Sequence, residues 1–164
     1  MVTPPPFSEF CELWNNHSWG ALPHTLTPLV HPGKFRDNTM PHFINLDRMH
    51  YPPRPANARA ELEKILCALV EDYGAEKIIA FGSTVRGGVT EHSDFDLCVI
   101  REHPPGCTHP TLEARQAAGR YSPLVSKDIL VKSPAQYRSE AMRPVGAMQE
   151  VVEHGLTVYE RCPQ

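Results

Sequence analysis

Apolar residues line one helical face between residues 58 and 73. Leu62, Ile65, Leu66, Leu69, Val70 and Tyr73 follow an i, i+3, i+4, i+7 spacing, with Glu61, Glu63, Lys64 and Glu71 on the outer side. That period predicts an amphipathic helix. Asn57 is placed to cap its start and Gly74 to close it. Beyond it the period shortens. Lys77 to Phe81 reads as a short apolar strand, and Gly82-Ser83 turns the chain into a short helix from Thr84. Asp96 to Ile100 reads as a second strand. Residues 101–110, with three prolines and a glycine, read as a loop. A helix capped by Thr111 is expected through Gly119, then a third strand from Ser126 to Val131. Ser133-Pro134 opens a helix to Ala141. A last helix is expected from Val145 to His154, with Val145, Met148, Val151 and Val152 as its apolar residues and Gly155 as its stop. Leu156 to Tyr159 is a short apolar end piece.

This order of elements predicts an α/β (α+β) domain, a small mixed sheet of three to four strands backed by helices on one side. The regular pattern does not extend upstream of residue 57. Ten of the 17 prolines lie there, with five histidines and both tryptophans. Proline at that density interrupts helices and central strands alike. Apart from a short helix possible over Phe7 to Trp14, residues 1–56 read as an irregular or disordered extension. Residues 57–164 read as the domain. His17, His24 and His31 are seven apart, but no helix aligns them and no acidic or thiol ligand shares their spacing. A natural start at Met49 would leave only the compact domain.

Composition narrows the classes. A net charge of −3 and a pI of about 6.3 argue against an extended nucleic-acid surface. The five cysteines are scattered and none forms a CxxC pair, so zinc-ribbon and redox-motif readings have no support. Cys67 and Cys98 sit in apolar runs and read as small buried side chains. The N-terminus does not resemble a signal peptide, and no run of about 18 apolar residues spans a membrane. The expectation is a reduced, cytoplasmic protein.

The candidate chemistry is concentrated in residues 82–96. A Gly-Ser pair between a strand and a helix lets backbone N–H groups approach an anion, and the serine hydroxyl adds a donor. A tight turn with a serine cap would need the same residues. Asp94 and Asp96, two apart at the opening of a strand, share one face. Two carboxylates side by side repel unless a cation lies between them, and magnesium takes such hard oxygen ligands. A solvated strand end is the plain alternative. Asp128, opening the strand Asp-Ile-Leu-Val, is the candidate third carboxylate if that strand pairs beside Asp96 to Ile100. Glu102, Glu113 and Glu140 are the other choices. Lys127 is expected to point away from Asp128 toward the surface.

The runs Gly82-Ser83-Thr84-Val85-Arg86-Gly87 and Ser93-Asp94-Phe95-Asp96-Leu97 resemble the signature of the DNA polymerase β-like nucleotidyltransferases. The likeness is greatest to the minimal nucleotidyltransferases of prokaryotes. It extends through Asp128-Ile129-Leu130-Val131 and the ending Gly155 to Arg161, and covers about residues 58–161. Val85 departs from the family's usual alanine. The resemblance implies that Gly82 and Ser83 hold a triphosphate, with Arg86 either neutralising phosphate or tying the turn to the sheet. It implies that Asp94, Asp96 and Asp128 hold two magnesium ions, with ATP as donor of a nucleoside monophosphate. Minimal members often act as antitoxins that adenylylate a tyrosine of a helical HEPN-domain toxin, so such a partner is the implied acceptor. Two other readings remain: a silent binding module of the same fold that masks a helical partner, and a structural domain with an incidental DxD.

Overall fold

The computed structural model describes residues 41–122 and 125–162. The elements run α1 (Ala58–Glu71), β1 (Lys77–Phe81), α2 (Ser83–Arg86), β2 (Phe95–Ile100), α3 (Pro110–Tyr121), β3 (Lys127–Lys132), α4 (Pro134–Ala141), α5 (Ala147–His154) and β4 (Leu156–Glu160). A 3-10 turn at Leu46–Arg48 precedes them. The strands form one mixed sheet in the order β3-β2-β1-β4. β1 is antiparallel to both β2 and β4, while β2 and β3 are parallel. A parallel pair needs a crossover, and α3 supplies it.

Both faces of this sheet are apolar, because alternate residues of β1 and β2 are buried on opposite sides. Phe95, Leu97 and Val99 join Ile78 and Ala80 under α1 and α3. Leu62, Ile65, Leu66 and Leu69 come from α1, and Ala114, Ala117 and Ala118 from α3. Cys98 and Ile100 join Ile79 and Phe81 on the other face, against Met148 and Val151 of α5, with Tyr137 of α4 packed beside them. The expectation of helices on one side is therefore corrected. A strand with both alternating sets apolar needs a cover on each face.

Three local expectations also change. α5 begins at Ala147 because Gly146, at φ 57°, breaks the run before it. Val145 is thereby left 78% exposed, and the two-turn helix seats only Met148 and Val151. α3 runs through Gly119 to Tyr121, held by its three buried alanines. Lys127 is half-buried rather than at the surface. Its ammonium donates to the carbonyls of Ser122 and Val125 at 2.7 and 3.0 Å, and burial pushes its pKa down. Ser133 does cap α4, in a reciprocal box with Gln136.

Residues 41–56, grouped with the arm by composition, pack on the domain. Leu46 and Met49 are buried in the main core. Phe43 meets Tyr159 edge-on at 6.1 Å, and Tyr51 meets Phe95 at 6.4 Å. The Ile44 N–H donates to the Val158 carbonyl at 2.9 Å, so this strap covers part of the β4 edge. The histidine triplet His17, His24 and His31 lies outside the described residues. Among the described residues, no helix is long and apolar enough to cross a membrane.

Candidate active site

Phe95 and Ile129 are buried under α1 and α3, so their neighbours Asp94, Asp96 and Asp128 fall on the opposite face, the one α5 covers in part. Asp96 is the Cα partner of Phe81 on β1 and of Asp128 on β3. Asp94 stands just before β2 and is exposed. The sheet thus brings Asp96 and Asp128 side by side, with Asp94 one strand repeat before Asp96. Of the other carboxylates weighed for the third position, Glu140 pairs with Lys132 at 2.8 Å, Glu113 accepts from the Cys107 thiol at 3.4 Å, and Glu102 lies in the loop after β2.

The Gly82 turn closes the site from β1. Gly82 adopts φ 70°, ψ −151°, and a Cβ there would land on the Asp96 carboxylate, 3.0 Å from its Cγ. Only glycine lets the turn lie this close. The amides of Val85 and Arg86 fold back to the Gly82 carbonyl at 3.2 and 3.0 Å. Behind the turn, Thr84 is fully buried and its hydroxyl donates to the Phe81 carbonyl at 3.3 Å. Its carbonyl accepts from the His50 N–H at 2.7 Å, so the strap braces the turn from the rear. Ser83 stays half-buried at the start of α2.

The site is short of positive charge. Burial, and then the negative charges of Asp94, Asp128 and Glu150, push the Asp96 pKa up to about 6. Glu150 of α5 lies 3.2 Å from Arg86 Nε, although its buried Oε2 has no hydrogen bond of good geometry. Arg86 therefore links α2 to α5. Asp128 pairs with Arg115 of α3 at 2.8 Å. As they lie, no three carboxylate, imidazole or thiol side chains among the described residues converge around one ion.

The donor set nevertheless suits a hard cation. It offers carboxylate oxygens only, on adjacent strands, with the ionised form of Asp96 disfavoured by burial and by its acidic neighbours and a glycine letting the turn lie against it. Glu150, Arg115 and the His50–Thr84 brace escape a reading of the sequence by motif. The available signal for Glu150 is an acidic residue between the two core-facing positions Met148 and Val151. Arg115 has no such signal, since it is one of three exposed charges on its helix, with Glu113 and Arg120.

Residues 60–140 match the family model described as the nucleotidyltransferase domain. The match includes Gly82, Ser83, Arg86, Asp94, Asp96, Arg115 and Asp128; Glu150 lies beyond it. No curated protein and no solved structure matches the chain.

Proposed function

From the nucleotidyltransferase-domain match at residues 60–140, we propose that this protein is a magnesium-dependent nucleotidyltransferase that moves a nucleoside monophosphate, AMP from ATP, to an acceptor hydroxyl. The observation that carries the proposal is the β2–β3 register, with Asp96 opposite Asp128 on the face that also carries Asp94, beside the Gly82 turn. Gly82 and Ser83 hold the triphosphate through backbone N–H groups and the Ser83 hydroxyl. Arg86, already fixed by Glu150, lies next to that turn and neutralises phosphate charge. Asp94, Asp96 and Asp128 hold two magnesium ions. Bound there, the metal supplies charge stabilisation at the attacking and leaving oxygens. Asp128 draws the proton from the acceptor hydroxyl as it attacks the α-phosphorus, and pyrophosphate leaves in line.

Asp94 and Asp128 are exposed, so the acceptor side of the site is open. An open site is suited to a macromolecular acceptor that covers it. A tyrosine of a HEPN-type toxin, with this protein as its antitoxin, is the acceptor the family resemblance favours. The test is incubation with labelled ATP, magnesium and that partner. Transfer that depends on Asp94 and Asp96 supports the assignment, and transfer that persists in Asp94→Ala rejects the site. A second reading, a silent module that binds the same partner, has one observation in its favour: Asp128 is engaged by Arg115. Tight complex formation with no transfer to any acceptor would favour it.

A further inference from the structure

Asp128 occupies the right backbone position for the site, yet its side chain is taken. Its Cα is fixed opposite Asp96 by the β2–β3 register. Its Oδ1 accepts from the Arg115 guanidinium at 2.8 Å. The register places the Asp128 backbone beside Asp96, while the ion pair holds its carboxylate on Arg115. That ion pair is weak. The two side chains are 55% and 64% exposed, so water and salt screen the attraction. Arg115 also borders an open pocket formed with Thr108, His109, Pro110, Thr111 and Leu112.

We propose that Arg115 is the counter-ion that Asp128 exchanges for the metal, so that loading the site and releasing Arg115 are one linked event. The inference rests on the reading that Asp94, Asp96 and Asp128 hold the metal. In the metal-free protein Arg115 supplies the positive charge that Asp128 would otherwise lack. A divalent ion near Asp96 competes for the same carboxylate. Linkage makes the competition reciprocal: bound metal weakens the ion pair by the same factor by which the pair weakens metal binding. Arg115 is thus a positioning residue that acts through Asp128. A scaffold arginine predicts the opposite result, since its loss would loosen the site and weaken the metal.

The test uses the full chain and manganese as a paramagnetic probe, with free and bound ion counted by electron paramagnetic resonance. R115Q should bind manganese about two- to fivefold tighter than wild type, the range expected for releasing an exposed pair. R115K, which keeps the charge but not the fork, should fall between them. Asp128→Asn should weaken binding, and adding R115Q to it should bring no further gain. Unchanged or weaker binding in R115Q overturns the exchange while leaving the metal site standing. An equal gain in the Asp128→Asn background also overturns it, because the effect would then be general electrostatics. No manganese binding by wild type overturns the metal reading, and the exchange with it.

Discussion

Gly82 and Asp96 are coupled so closely that each limits what the other position tolerates. The Gly82 backbone occupies the space beside the Asp96 carboxylate, at a positive φ that L residues rarely adopt. Gly82→Ala should lower stability by about 1–3 kcal/mol in urea denaturation and abolish stabilisation by manganese-ATP. Asp96 carries a pH signature of its own. Its pKa is 3.8 in a free chain and about 6 here, so folding favours the protonated form. Its contribution is fully present below pH 3.8, fades as pH rises toward 6, and beyond that the ionised carboxylate burdens the metal-free fold. Asp96→Asn should therefore stabilise the metal-free fold at pH 7.5 by roughly 1 kcal/mol after allowance for partial exposure, read by urea denaturation. The gain should shrink toward pH 4. A gain that stayed constant across that range would rule out the titration of Asp96 as its source. In the wild type, manganese affinity should fall as pH drops below about 6.

Elements carry the site in ways that the sequence expresses unevenly. α1, the strands and the Ser133 cap are legible because each is a local signal: a 3.6-residue stripe, short apolar runs, a Ser-Pro start. Asp94 and Asp96 stand out as a pair for the same reason. The pairing of β2 with β3 spans more than 30 residues, and no local pattern encodes which strand lies beside which. α5 is the least legible element. A glycine at positive φ shortens it, and its acidic residue reaches the site only through the sheet's tertiary packing. That placement gives α5 a role beyond packing. Glu150→Gln removes one of the charges that raise the Asp96 pKa, so the pH midpoint of manganese binding should move down. A midpoint that did not move, measured by the same titration, would mean that α5 does not act on Asp96.

For the molecule as a whole, the open question is where the folded unit starts, and the strap before α1 bears on it. A chain begun at Pro41 retains every core residue described above. A chain begun at Met49 loses Phe43, Ile44, Asn45 and Leu46. Leu46 is 6% exposed, and full burial of such a side chain contributes about 1.5–3 kcal/mol. The Phe43–Tyr159 contact adds about 1 kcal/mol. The Ile44 N–H to Val158 and Asn45 side-chain to Thr157 hydrogen bonds add about 1 kcal/mol each. The shorter chain should therefore be less stable by roughly 4.5–6 kcal/mol, a large share of a small domain's total. It also bares the β4 edge, which invites association between copies. The effect reaches the site through the His50 N–H, which holds the Thr84 carbonyl behind the Gly82 turn. With the strap anchored only at Met49, that brace loosens and stabilisation by manganese-ATP should decline as well. Urea denaturation of the two chains, with and without manganese-ATP, separates the effects. Equal midpoints would show that the strap is dispensable. A lower midpoint with an undiminished ligand shift would confine its role to the core and free the Gly82 turn from it.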